Sequence, residues 1–236
     1  MTARAVGLVV AAGTGQRLGA ATRKGLVKLA GEPLLVHAVR AFTACDAIGE
    51  IVLVVAPADL DGAAAALRGA GLAVGAVVAG GDTRQESVRL GLSACPPDAE
   101  AVAVHDAARP LVSADLVTRT VRALVAPWAA VAPGLPIVDT MKLVDAVAAP
   151  LTTPVAVVRT VERHGLWAVQ TPQVFGARTL RRVHDRLDSL ATDDLVLVEQ
   201  AGGRVRLIEG DRRNFKITFP EDLLIAEALL AGERLP

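Results

Sequence analysis

Short runs of aliphatic residues alternate along the chain with longer segments in which hydrophobic positions recur every three or four residues. The short runs are rich in Val and almost free of polar residues, which is typical of strands buried on both faces of a parallel sheet. They are AVGLVVA (5–11), EIVLVVA (50–56), GAVVAG (75–80) and AVAVHD (101–106). Helical spacing lies between them at 33–42, 58–70 and 83–94, with Pro33 in a first turn and Asp82 as a candidate N-cap. This alternation predicts an α/β fold, a mainly parallel twisted sheet with helices on both faces.

The alternation stops between Pro136 and Arg163, where the chain reads PIVDTMKLVDAVAAPLTTPVAVVRTVER. Two β-rich halves flank a turn-like AAPLTTP segment without helical spacing, so the pattern predicts a protruding β-hairpin arm whose apolar residues need a partner. Further elements follow at 166–175, in a helix ending near Leu190, at 193–202, at 204–210, in a short strand at 214–218 and in a helix from Pro220. We expect a single domain over residues 1–236, with the arm at about 136–163.

Composition excludes several classes of function. The chain has 25 basic and 25 acidic residues, four Phe, two Trp and no Tyr, which argues against a broad nucleic-acid surface or a base-stacking platform. Cys45 and Cys95 form no CxxC motif, and the four His show no metal-ligand spacing. The longest uncharged stretch, 123–138, is too short to span a bilayer, and no signal peptide is recognisable before the first strand. We expect a soluble, cytoplasmic protein that binds neither nucleic acid nor membrane.

The turn after the first strand is the first candidate site. Its glycines, Gly13, Gly15 and Gly19, give GxGxxxG, which fits neither the dinucleotide fingerprint GxGxxG nor a P-loop. A glycine loop at the carboxyl edge of a parallel sheet is nevertheless where α/β proteins bind ligands. The glycines allow close backbone approach to phosphates, and Arg17 and Lys24 supply positive charge. Taken alone, the loop is also compatible with a solvated tight turn.

Several later segments favour a functional role for this loop. They are GGDTRQESV (80–88), VHDAARP (104–110), DTMK (139–142), TVERHGLW (160–167), QTPQVF (170–175), TDD (192–194) and NFKIT with PEDL (214–223). With AAGTGQRLG, they resemble in order the 2-C-methyl-D-erythritol 4-phosphate cytidylyltransferases, a family of sugar-type nucleotidyltransferases, over essentially the whole chain. The resemblance implies a Rossmann-like α/β fold with a protruding arm and a homodimer formed through that arm. It also implies transfer of a cytidylyl group from CTP to a polyol phosphate, with Mg²⁺ and release of pyrophosphate, by direct in-line displacement.

The resemblance also implies roles for individual residues. Arg17 and Lys24 would stabilise the transition state, and Arg163 and Lys216 would hold the methylerythritol phosphate for attack. The residues expected around the nucleotide are Ala11, Ala12, Gly13, Gly15, Asp82 and Ser87, and those on the polyol and phosphate side are Asp106, Arg109, Thr140 and Thr171. No metal ligands are assigned.

The residues by themselves leave simpler interpretations open. Asp82 and Asp106 can be caps, Ser87 a tolerated helix position and Arg163 a solvated turn charge, and the two threonines can be ordinary strand residues. We expect His105 and His164 to pack or hydrogen-bond rather than to act in acid–base catalysis. Arg109 precedes Pro110, which favours an extended backbone and a guanidinium free for a phosphate.

Three positions depart from the family pattern. Val10 and Arg23 stand where the family usually has proline, and Gly25 follows Lys24. We expect Arg23 to add charge beside Lys24 and Gly25 to loosen the loop. The alternatives are a ribitol 5-phosphate cytidylyltransferase and a nucleotide-binding module without catalysis. An NAD-dependent oxidoreductase is disfavoured, because the glycine spacing is wrong and Ala56-Pro57, not an acidic residue, follows the second strand.

Overall fold

The computed structural model describes residues 5–15, 18, 23–145, 154–186 and 193–232. Its strands are β1 (Ala5–Val10), β2 (Lys28–Leu29), β3 (Glu32–Pro33), β4 (Ile48–Val55), β5 (Ala76–Ala79), β6 (Ala101–Asp106), β7 (Ala130–Pro136), β8 (Met141–Val144), β9 (Val157–Val161), β10 (Trp167–Val169), β11 (Gln173–Gly176) and β12 (Val205–Glu209). Its α-helices are α1 (Leu34–Thr43), α2 (Leu60–Gly69), α3 (Arg84–Ala94), α4 (Ala114–Arg122), α5 (Ala177–Arg186), α6 (Asp194–Gln200) and α7 (Pro220–Gly232). Short 3-10 helices cover Lys24–Leu26 and Pro57–Asp59.

Within the described residues, the central sheet has eight strands and is mainly parallel. β1 lies between β4 and β6 and is parallel to both, and β5 extends the sheet in parallel beyond β4. β11 pairs antiparallel with β6 and β7, β10 pairs antiparallel with the end of β7, and β12 runs parallel to β7. The predicted α/β class and mainly parallel sheet are confirmed.

Helices cover both faces of the sheet, as the Val-rich strands predict. Along β1 the side chains alternate: Ala5 and Val9 join one buried cluster with residues of α1, α2 and α4. Val6 and Leu8 join the other, with residues of α3, α5 and α6. Each fully buried aliphatic side chain stabilises the fold by roughly 1.5–3 kcal/mol relative to its exposed state, so both faces need a helical layer.

Three elements differ from the sequence-based expectations. α4 and β7 occupy a stretch for which no element was predicted, and α4 begins at a Ser113 N-cap whose hydroxyl accepts the Leu116 N–H. Residues 214–218, predicted as a strand, form no strand. Single hydrogen bonds hold this segment instead, including one from the Ile217 N–H to the Ala108 carbonyl at 2.8 Å. The short apolar pattern is therefore satisfied here by the burial of Ile217 and the partial burial of Phe215, without pairing to a neighbouring strand.

β8 and β9 form the antiparallel hairpin predicted for the arm, with Met141 opposite Val161. Apolar side chains on and beside it face solvent, including Val138 (58% exposed), Val157 (57%) and Val158 (58%). The middle of the arm, 146–153, lies outside the described residues. Among the helices of the described chain, none combines the length and the apolar composition needed to cross a membrane.

Candidate active site

A cleft of about 550 Å³ opens at the carboxyl ends of β1 and β6. Four segments line it: the turn after β1 with Lys24 and Gly25, the start of α3, the residues after β6, and Lys216 with Thr218. Open parallel sheets bind ligands at this edge, and the volume is typical of a small-molecule site. The N-terminal end of α3 points its partial positive charge at this region, which favours an anion.

Gly13 and Gly15 shape the turn after β1. A Cβ on Gly13 would meet no atom within 4 Å, so the backbone there stays open to a ligand. Gly15 has φ +68°, in the left-handed region that favours glycine, and a Cβ there would lie 2.6 Å from the Cβ of Lys24. Lys24 therefore packs against bare backbone and lines the cleft beside Ala11 and Ala12. Gln16, Arg17 and residues 19–22 lie outside the described residues.

The start of α3 forms a second wall of the cleft. Thr83 caps this helix, because its hydroxyl accepts the Glu86 N–H at 3.0 Å, while the Glu86 carboxylate accepts the Asp82 N–H at 3.0 Å. Asp82 is therefore not the cap, contrary to that expectation, and it lines the cleft instead. Ser87 is buried and also lines the cleft; its Oγ accepts the Gly81 N–H and donates to the Thr83 carbonyl at 2.9 Å.

A chain of hydrogen-bonded ionisable groups, the charge network, joins the cleft to the helices behind it. Lys216 Nζ donates to Asp106 Oδ2 at 2.7 Å, and Arg84 Nε donates to Asp106 Oδ1 at 3.1 Å. Arg84 Nη1 donates to Asp194 Oδ2 at 2.6 Å, and His184 Nε2 lies 2.9 Å from Asp194 Oδ1. Burial alone would raise the pKa of Asp106, but Arg84 and Lys216 outweigh it and hold this pKa well below its usual range. Asp106 is therefore ionised at neutral pH.

Comparison with known proteins identifies the family to which the chain belongs. The family model described as IspD, 2-C-methyl-D-erythritol 4-phosphate cytidylyltransferase, matches residues 5–232. The chain belongs to this family. A relative of that name from Streptomyces avermitilis is 46% identical over 99% of this chain and 94% of its own, and one from Streptomyces coelicolor is 47% identical over 99% and 87%.

Solved structures of cytidylyltransferases agree with this assignment over nearly the whole chain. The 4-diphosphocytidyl-2C-methyl-D-erythritol synthase from Anaerococcus prevotii has a TM-score of 0.81 and 28% identity, and the comparison covers 97% of this chain and 96% of that one. The 2-C-methyl-D-erythritol 4-phosphate cytidylyltransferase from Thermus thermophilus has a TM-score of 0.74 and 34% identity over 95% and 98%.

Two departures from the cytidylyltransferase pattern now have a structural account. Arg23 Nε lies 3.6 Å from Asp59 Oδ2, so its charge is paired on the side of the Pro57–Asp59 helix. Gly25 is buried, and a Cβ there would lie 2.9 Å from both the Cβ and the carbonyl oxygen of Ala11. The expectation that Gly25 loosens the loop is wrong, because the missing side chain lets the Lys24–Leu26 helix pack directly on the end of β1.

Arg109 and Thr171 do not line the cleft formed by the described residues. The Arg109 guanidinium is not free for a phosphate, contrary to expectation, because it donates to the Asn214 carbonyl at 2.8 Å and to the Val169 carbonyl at 3.3 Å. Thr171 Oγ1 accepts the Asp106 N–H at 3.1 Å and lies 2.9 Å from His105 Nδ1. Both side chains thus fix the segments that carry Asp106 and Lys216.

His105 is completely buried beneath this region. Its Nδ1 faces the Thr171 hydroxyl and its Nε2 faces the Arg109 carbonyl at 3.2 Å. Burial lowers the pKa of His105 to about 4, so the ring is neutral at pH 7. A neutral, hydrogen-bonded ring agrees with the expectation of a packing residue.

Thr140 and Arg163 lie on the arm and do not line the cleft of their own chain. Both are exposed, and Arg163 Nη1 donates to the Val138 carbonyl. Of the four predicted catalytic residues, the structure brings Lys24 and Lys216 to one cleft and leaves Arg163 on the arm; Arg17 is outside the described residues.

Sequence reasoning missed Arg84, Asp194 and His184. One signal was present for Arg84, which is the first residue of α3, where the helix dipole favours acidic side chains and disfavours a cation. An arginine at that position needs carboxylate partners, and both come from distant parts of the chain.

The carboxylates of the cleft bear on whether it can bind a divalent metal ion. Within the described ranges, no group of three or more His, Cys, Asp or Glu side chains could hold an ion. Asp82 and Asp106 are the carboxylates that line the cleft, and both oxygens of Asp106 already bind cationic groups. Mg²⁺ is commonly held by one or two carboxylates together with substrate phosphates, and this donor set fits an ion of that kind.

Proposed function

We propose that this chain transfers the cytidylyl group of CTP to 2-C-methyl-D-erythritol 4-phosphate and releases pyrophosphate. The proposal rests on one observation above the others. In a chain of the cytidylyltransferase family, a single cleft joins the glycine turn, the start of α3, Lys24 and the Lys216–Asp106 pair. A phosphate oxygen of the polyol forms a bond to the α-phosphorus, while the bond from that phosphorus to the bridging oxygen breaks and pyrophosphate leaves with the electron pair.

The reaction brings two anions together, and the cations of the cleft offset the repulsion between them. Two unit charges 4 Å apart repel by about 4 kcal/mol at an effective dielectric constant near 20. Nucleotidyl transfer therefore depends mainly on positioning and on charge neutralisation. Lys24, held against Gly15, is suited to the triphosphate, as is Arg17, seven residues before it in the sequence. Lys216, held by Asp106, is suited to the phosphate of the polyol.

The nucleotide and the polyol use different groups of the cleft. Ala11, Ala12 and Gly13 line the cleft on the side of the glycine turn, with the backbone at Gly13 open to a phosphate, and Asp82 and Ser87 line it near the start of α3. An ionised carboxylate has about four lone-pair positions. Asp106 binds two cationic groups and can therefore still accept hydrogen bonds from polyol hydroxyls. Mg²⁺ held by the triphosphate with Asp82 or Asp106 would supply further positive charge at the transferring phosphorus.

We further propose that the chain is one nucleotidyltransferase domain that works in the cytoplasm as a homodimer through the arm. Exposed apolar residues on β9 and at Val138 support this, because such a surface is expected to be covered. Arg163, exposed and remote from its own cleft, is then available to the cleft of the second copy. Mixing Arg163→Ala and Lys216→Ala proteins tests this, since hybrid dimers would regain one complete site and measurable activity. Two inactive variants that stay inactive after mixing and exchange would contradict a shared site.

Pyrophosphate release by the purified protein with CTP and Mg²⁺ tests the activity. Methylerythritol 4-phosphate and ribitol 5-phosphate are offered separately, and we expect release with the first. Release with ribitol 5-phosphate alone would retain the mechanism and reassign the substrate. Binding of CTP without release in either case would favour the non-catalytic module.

A further inference from the structure

The charge network reaches well beyond the cleft. Asp194 has only 1% of its side chain exposed and does not line the cleft, yet its two oxygens bind His184 and Arg84. Arg84 does line the cleft and spans from Asp194 to Asp106. The buried carboxylate of Asp194 is therefore joined to Lys216 by three successive hydrogen bonds, through Arg84 and Asp106.

Each link in this line uses a separate atom. Asp106 gives Oδ1 to Arg84 and Oδ2 to Lys216, and Arg84 uses Nε for Asp106 and Nη1 for Asp194. The Arg84–Asp194 contact, at 2.6 Å, is shorter than the Arg84–Asp106 contact, at 3.1 Å. Arg84 is thus anchored on Asp194 and turns its remaining edge towards Asp106. A planar guanidinium can hold two carboxylates in fixed directions, whereas an ammonium cannot.

The charges of the four residues from Lys216 to Asp194 also balance. Asp106 and Asp194 carry one negative charge each at neutral pH, because burial, which would raise both pKa values, is outweighed by their cationic neighbours. Arg84 and Lys216 carry the two matching positive charges. Removing one buried partner leaves another charge uncompensated, and the flexible members then move. The most exposed member is Lys216, with 40% of its side chain accessible.

We propose that Arg84 and Asp194 are positioning residues that hold Asp106, and through it Lys216 Nζ, in the orientation required by the polyol phosphate. This inference rests on the proposed function and assigns residues that act behind the cations of the cleft. A purely structural bond between α3 and α6 would stabilise the fold without affecting how the polyol phosphate binds.

Asp194→Asn is the decisive variant, with Asp193→Asn as its matched control. Asparagine keeps the shape of Asp194 but removes its negative charge and one acceptor oxygen, so the Arg84 guanidinium loses its buried ion pair with residue 194. Asp193 is the N-cap of α6 and is bonded to Val196 and Gln173, outside the charge network, and asparagine caps as well as aspartate. Misplacing a reacting group by about 1 Å can cost about 10²-fold in rate.

For Asp194→Asn we expect kcat/KM for methylerythritol 4-phosphate to fall roughly 10- to 100-fold through a raised KM, with KM for CTP within about twofold. Asp193→Asn should match the wild type within about twofold in both constants. Arg84→Lys provides a second variant that keeps the charge, and it should share the raised KM for the polyol phosphate because lysine cannot bridge both carboxylates.

The outcomes separate this role from its alternatives. Variants that lower only the apparent kcat, in proportion to the fraction unfolded and with both KM values unchanged, would overturn the positioning role and leave a structural bond. Equal increases in KM for CTP and for the polyol phosphate would also overturn it. A wild-type protein that turns over neither polyol phosphate would overturn the proposed function and this inference together.

Discussion

His105 is expected to make the stability of this protein depend on pH in the mildly acidic range. Its ring is completely buried, with its centroid 5.2 Å from that of Phe42, and both nitrogens face polar groups. Burial, partly offset by Asp106, lowers its pKa from 6.5 to about 4. The folded state therefore binds fewer protons than the unfolded state between these two values. Stability from the neutral ring is fully present above about pH 6.5 and is lost as the pH falls towards 4.

The size of the effect follows from these two pKa values. A shift of one pKa unit corresponds to 1.36 kcal/mol. The full shift of the His105 pKa therefore lowers the free energy of unfolding by about 3 kcal/mol once the pH is below both pKa values. Between pH 7 and pH 5 the linkage relation gives a loss of about 2 kcal/mol. That is a large part of a typical stability of about 5–15 kcal/mol.

Urea unfolding followed by tryptophan fluorescence measures this, since Trp128 and Trp167 lie in different parts of the chain. The free energy of unfolding of the wild type and of His105→Gln is compared at pH 7, 6 and 5, above the range in which Asp106 titrates. The variant is expected to be less stable at pH 7 and to lose about 2 kcal/mol less than the wild type on going to pH 5. Parallel pH profiles for the two proteins would refute the reasoning.

Further predictions concern the cleft and the arm. Lys24→Ala should lower kcat by about 10²–10³-fold with the free energy of unfolding nearly unchanged, and activity within a few-fold of the wild type would remove Lys24 from the mechanism. Gly25→Ala should cost about 1–3 kcal/mol in urea unfolding, because its Cβ would lie 2.9 Å from Ala11. Gly69→Ala, at the end of α2 with no atom within 4 Å of its Cβ, is the control and should be neutral or stabilising. Val157→Asp with Val158→Asp should shift the protein towards monomer in sedimentation experiments, and an unchanged mass would contradict dimerisation through the arm.

The sheet could be predicted from the sequence because its signals are local. β6 covers the predicted residues 101–106, and β1, β4 and β5 match their aliphatic runs to within two residues at each end. The pairing of β8 with β9 was also readable from two β-rich halves around a turn. α4 was missed although its Ser113 cap is a local signal. The prediction of a strand at 214–218 was wrong, because a non-strand segment that buries Ile217 has the same short apolar pattern as a strand.

The candidate site divides in the same way. The glycine turn, Lys24 and Asp106 could be located from the sequence, because strand ends and turns bring them to the carboxyl edge of the sheet. Arg84 and Asp194, like Asp106 and Lys216, are 110 residues apart, and only the folded chain shows that they touch. The guanidinium of Arg109 was expected to be free, yet tertiary contacts give it two backbone carbonyls. Hydrophobic periodicity and turns depend on neighbouring residues, so the sequence alone determines them. The partner of a buried charge depends on which distant segments the fold brings into contact, so only the tertiary structure decides it.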